Sequence, residues 1–263
     1  MTLTLKRPRL LPAITRLVSL GLIGVVSSYP LIHKFVEKAL QNPDAASKVP
    51  QGVSTETLTA LALINPALLT LGSTALGAVL APKVGLHSVL SGQSGARFTR
   101  RDAGAGLLTG VTTAVLLAGL DLLTRPLLGE AGAKLSLDAP RSLTDTLGGM
   151  LYGGITEELL LRWGVMTLLT WLGWRFLQRD GQPPRAAVMW GAITVAAVLF
   201  GVGHLGAVAT LVDLTPAVVS RTVLLNMIGG MAFGYLYWRR NLETAMLAHT
   251  CWHVTVTLIS LMK

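Results

Sequence analysis

Runs of roughly twenty apolar residues recur along this chain, and runs of that length constrain the backbone more than any motif does. In hydrocarbon no water reaches backbone N–H and C=O groups, so such a segment is stable as a helix that satisfies them internally. Apolar windows fall near residues 10–31, 57–81, 104–124, 144–173, 186–206, 217–238 and 243–262. They predict seven transmembrane helices, or eight if residues 205–216 form a short re-entrant piece. Composition agrees, because 51% of the 263 residues are hydrophobic and only 13% are charged, too little charge for a soluble protein of this size. The expectation is an all-α, polytopic integral membrane protein in a single membrane domain, 1–263, with Asn65-Pro66 kinking the second helix.

A net charge of +9 would suit nucleic acid, but no basic stripe interleaved with aromatics is present, so no nucleic-acid partner is expected. The distribution of positive charge across the bilayer is the better account. With the N-terminus cytosolic, one side receives Lys6, Arg7, Arg9, Arg16, Lys83, Arg97, Arg100, Arg101, Arg175, Arg179, Arg185, Arg239 and Arg240. The other receives Lys34, Lys38, Lys48, Arg125, Lys134, Arg141, Arg221 and Lys263. The bias puts the N-terminus and the turns near 92, 180 and 240 inside. Lys6-Arg7-Pro8-Arg9 before an apolar run looks like the start of a signal peptide, yet the run is long and lacks a small-x-small cleavage site, so it reads as a retained first span. The single cysteine, Cys251, rules out an internal disulfide.

Charge inside the membrane is the functional signal, since an acidic or basic residue at mid-bilayer costs roughly 2.5–3.5 kcal/mol on insertion scales. Three such residues share the fourth apolar run: Glu157, Glu158 and Arg162 in Gly-Gly-Ile-Thr-Glu-Glu-Leu-Leu-Leu-Arg-Trp-Gly. At about 100° per residue Glu158 and Arg162 lie on one face and can pair. Glu157 then points elsewhere, free to act as a base; the bland alternative is an ion-pair network that only locks helix register. His204 ends the next apolar run, and counting from the turn near 180 puts it at the depth of Glu157 on an antiparallel neighbour. His249 and His253 sit four apart in the last span, a spacing that lets two imidazoles reach one metal or one substrate. Asp121 reads as a packing or interfacial residue, and Asn226 as an interhelical hydrogen-bonding one.

Two formal motifs carry nothing. Gly201-Val-Gly-His-Leu-Gly206 ends an apolar helix instead of joining a strand to a helix, so it is no dinucleotide loop. Gly92-Gln-Ser-Gly95 lies in a basic, polar loop where no low-dielectric site would form around the serine.

The order Glu157-Glu158-x-x-x-Arg162, Phe200-x-x-x-His204 and His249-x-x-x-His253 resembles the three motifs of the CAAX protease and bacteriocin-processing family of intramembrane proteases, which includes the type II CAAX prenyl endopeptidases. The resemblance spans about residues 145–257, and 1–142 contributes N-terminal membrane helices. It implies an intramembrane endopeptidase that hydrolyses a membrane-embedded or lipid-anchored peptide in the bilayer, in a bacterial plasma membrane. Glu157 and His204 would activate water, Glu158 and Arg162 would support them, and His249 with the residue four later would bind the oxyanion or a metal. Prenyl endopeptidases typically have asparagine at that last position. His253 is a better zinc ligand, so Zn²⁺ or another divalent ion held by Glu157, His204, His249 and His253 stands beside the metal-free alternative. A non-catalytic immunity or scaffold protein with the same pocket is the alternative function, and a histidine/carboxylate transporter a third.

Overall fold

A computed structural model describes residues 10–50 and 52–262; Lys6, Arg7, Arg9 and Lys263 lie outside them. The described residues are helical, without strands. The principal elements are α1 (Leu10–Ser27), α2 (Tyr29–Leu40), α3 (Ile64–Leu80), α4 (Arg100–Thr124), α5 (the continuous helical run 143–178), α6 (Ala186–Gly203), α7 (Pro216–Arg239) and α8 (Leu242–Ser260). Among the described residues, five helical stretches are long and apolar enough to cross a membrane: Leu10–Ser27, Thr55–Val84, Arg100–Leu128, Ala186–Ala209 and Pro216–Arg239. The remaining two expected spans are also helical, as α5 and α8, and these are the two that carry Glu157, Glu158, Arg162, His249 and His253. The 205–216 segment holds only a short helix, Leu205–Ala209, that prolongs α6.

Local chemistry sets several of the boundaries. Thr99 and Asp102 form a reciprocal capping box at the start of α4, and Thr215 caps α7 ahead of Pro216. Asn241 caps α8 by accepting from Thr244 N at 2.9 Å. The second expected span breaks at Leu63 between Thr55–Ala62 and Ile64–Leu80. Pro66 explains the break, since its ring removes the N–H that would bond the carbonyl of residue 62 and clashes with that carbonyl.

Helix α8 packs against α4 and α5, α6 against α7, and α5 against α1 and α3. Small residues make these approaches possible, in place of a hydrophobic driving force that lipid cannot supply. A methyl group on Gly110 of α4 would lie 2.7 Å from Cys251 Cβ, and one on Gly201 of α6 would lie 2.7 Å from the Val223 carbonyl of α7. Trp163 of α5 is fully buried beside Gly77 of α3 and donates its indole N–H to Thr74 O at 3.1 Å.

Asp121 is the hub of the connection between α4 and α5. It is fully buried; its carboxylate accepts from Arg125 Nη2 at 2.5 Å, from Arg221 Nη2, and from Leu137 N at 3.1 Å. Arg125 also donates to Asp138 at 2.9 Å, and Arg221 Nε to Thr124 at 3.2 Å. Arg221, in the first turns of α7, is 9% exposed, and its charge is matched by Asp121. Asp121→Ala leaves both guanidinium groups without that carboxylate, and we expect it to lower stability by about 3–5 kcal/mol, measured as thermal or denaturant unfolding in detergent.

Candidate active site

The helix that carries the two glutamates is not wound as a regular α-helix. Over Gly149–Glu157 and again over Leu159–Met166 its turns widen to the i→i+5 pattern, with Glu158 between the two stretches. Wide turns of this kind concentrate at functional sites, because they re-aim side chains that regular helix would space evenly. Glycines allow α8 to lie directly against this segment: a Cβ on Gly153 would sit 2.5 Å from His253 Nε2 and 3.4 Å from His249 Nε2. On Gly154 it would meet the backbone of Thr250 at 3.1 Å.

Glu158 is fully buried and held on two sides. Arg162 Nη1 approaches its Oε1 to 3.1 Å, and His249 Nδ1 donates to the same oxygen at 2.8 Å. The Arg162 contact is an ion pair by distance only; its angle is not that of a hydrogen bond, and Arg162 Nη1 and Glu158 Oε2 have no hydrogen-bond partner. Arg162, 2% exposed, donates through Nη2 to Gly230 O at 3.3 Å. Its guanidinium lies 4.8 Å from the Phe200 ring centre and 5.6 Å from that of Phe233. The aromatic faces supply negative potential to a cation that has left water.

Glu157 differs in each respect. Among the described residues it makes no hydrogen bond; its side chain is 18% exposed, and its Oε2 stands 4.0 Å from His249 Nε2. His249 thus bridges the two carboxylates, with Nδ1 fixed by Glu158 and Nε2 turned towards Glu157. Phe233 stacks on the His249 ring at 4.8 Å, and His253 stacks at 5.2 Å with an interplanar angle of 14°. His253 Nδ1 is buried and without a hydrogen-bond partner. His204 closes α6, with Nδ1 2.8 Å from Phe200 O and its ring edge-on to Phe200 at 4.7 Å.

These groups meet at one cavity of about 340 Å³, whose lining includes Glu157, His204, His249 and His253. Glu158 and Arg162 lie behind that wall. Cys251 faces the other way, its Sγ 3.7 Å from Leu107 O on α4. Asn226 lines the cavity and donates to Thr222 O of its own helix at 2.9 Å, so the expected interhelical bond is not made. Of the glycines around His204, Gly201 packs on α7 whereas Gly203 and Gly206 face open space.

Two lining residues escaped sequence reading. Arg221 enters through its pairing with Asp121, and Arg141, from the α4–α5 connection, lies over the Trp252 ring at 5.7 Å. Burial pulls the Arg141 guanidinium down from its usual pKa, and the Asp145 carboxylate opposes that shift. The only sequence signal for either was a basic residue close to an apolar run.

The donor set does not converge as a zinc site would. Among the described residues no three His, Cys, Asp or Glu side chains are placed to hold one metal ion. Zinc needs nitrogen ligands at about 2.0–2.1 Å around one point. His249 Nδ1 is already engaged by Glu158.

A family model described as Rce1-like, type II CAAX prenyl endopeptidase Rce1-like, matches residues 139–255. No curated protein and no solved structure matches the chain. The close contact at Gly153 gives a direct check: Gly153→Ala forces its methyl against the His253 ring, and we expect it to cost at least tenfold in activity. The same substitution at Gly72, whose Cβ would meet nothing within 4 Å, should leave activity intact.

Proposed function

Through residues 139–255 the chain belongs to the CAAX protease and bacteriocin-processing family of membrane proteases, and on that premise we propose that Glu157 is the base of an intramembrane endopeptidase. The observation that supports it is the division of labour between adjacent carboxylates. Arg162 and His249 occupy Glu158, while Glu157 projects into the cavity without a hydrogen bond.

In this reading a water lies between the Glu157 carboxylate and His204. Glu157 takes one proton, the oxygen attacks the scissile carbonyl carbon, and the oxyanion forms beside His249 and His253. Glu157 then returns the proton to the amide nitrogen as the C–N bond breaks. Glu158 fixes the orientation of His249 much as a buried carboxylate orients the imidazole of a catalytic triad. His253 lines the same cavity, stacked on His249, and so stands beside the same oxyanion. Each step here uses this chain's own side chains, since no three donors among the described residues are gathered around one point. The substrate is a membrane-embedded or lipid-modified peptide, since the cavity sits among membrane helices and its lining is largely apolar.

Purified protein in lipid vesicles, offered a panel of lipidated and transmembrane peptides, tests the proposal. Glu157→Gln should lower hydrolysis by about 10²–10⁴-fold, the usual contribution of a general base. Hydrolysis that survives Glu157→Gln overturns the assignment, and absence of hydrolysis by folded wild type across the panel favours a binding protein. His253→Asn should keep most activity, because an amide N–H also serves an oxyanion. Activity lost to a chelator and restored by Zn²⁺ would replace the metal-free scheme with the metal-bound one.

A further inference from the structure

The two ends of the helix bundle differ in chemistry, and the cavity belongs to only one of them. Successive long helices alternate in direction, so each connection marks an end. The end of α1, the α4–α5 connection, the end of α6 and the start of α7 lie together, and each lines the cavity, through Ser28, Leu137, His204 and Arg221 respectively. His204 stands one residue beyond the 18 residues of α6, about 27 Å along the helix from Ala186. That distance is nearly the thickness of the hydrocarbon core. The opposite end carries the segment 97–101, the turn 175–185 and Arg239-Arg240, three arginine clusters with short connections. At the cavity end the basic residues are fewer and more scattered: Lys34, Lys38, Lys48, Lys134 and Arg141, with Arg125 and Arg221 held by Asp121.

Short connections rich in arginine stay in the cytosol. We infer that the catalytic cavity opens on the non-cytosolic face of the membrane and receives apolar peptide segments presented from that leaflet. The substrate class rests on the hydrolase reading above, whereas the direction of opening does not. Family membership points to prenylated peptides, but prenyl groups are attached to cytosolic C-termini. A cavity opening away from the cytosol instead selects anchored peptides whose cleavage site was carried across the membrane, such as membrane-retained remnants of exported proteins.

The protein as expressed in intact cells provides the test. With Cys251→Ala removing the only native thiol, single cysteines are placed at the exposed Ala139, at the cavity-lining Leu137 and at the exposed Gln182 of the opposite turn. A membrane-impermeant maleimide should label Ala139→Cys in intact cells, and a small anionic thiosulfonate should label Leu137→Cys. Gln182→Cys should react only after permeabilisation. Labelling of Gln182→Cys in intact cells, alone or together with the others, overturns the inference. Failure of Ala139→Cys and Leu137→Cys to react until permeabilisation overturns it equally. Because labelling needs no substrate, this result stands or falls separately from the effect of Glu157→Gln.

Discussion

A buried arginine beside a buried glutamate is the constraint around which the rest is arranged. Each charge alone would cost several kcal/mol to take out of water, and the pair is tolerated only with further polar partners. Here the partners come from three other helices: His249 of α8 donates to Glu158, Gly230 of α7 accepts from Arg162, and Phe200 of α6 joins Phe233 of α7 in facing the guanidinium. One ion pair on α5 therefore fixes how α6, α7 and α8 sit around it. The catalytic proposal uses this rigidity, since a base is effective only when its neighbours do not compete for its charge.

Rigidity also depends on what is missing. Glycines on α4, α5 and α6 bring backbones close enough for side chains from neighbouring helices to reach across. The hydrogen bond from Thr156 to Gly21 O at 2.8 Å, between α5 and α1, is available only at such separations. In lipid these contacts replace the hydrophobic drive that holds soluble bundles together.

The helical class and the position of the polar residues were legible from the apolar period and from charge where none is expected. The Glu158–Arg162 pair was also legible, because i,i+4 pairing survives local changes in winding. The widened turns were not, since an i→i+5 stretch leaves no distinct period in an apolar sequence. The bond from His249 to Glu158 was hidden for a related reason: helical spacing orders residues within one helix but says nothing of rotation between two. The partner of Arg221 was hidden as well, because Asp121 lies 100 positions earlier on another helix.

The proposed chemistry has a consequence for whatever enters the cavity. In an α-helix each carbonyl oxygen is bonded to the N–H four residues on and the carbonyl carbon is covered by the neighbouring turns, so a water held by Glu157 has no path to it. A membrane-spanning segment cannot be presented to Glu157 as a helix; it must first unwind into an extended strand, breaking backbone hydrogen bonds where little water is present to replace them. The ease of local unwinding, through glycine, proline or a nearby helix end, therefore becomes part of recognition. Two segments with the same residues at the scissile bond would differ in rate according to how firmly the neighbouring turns hold them closed.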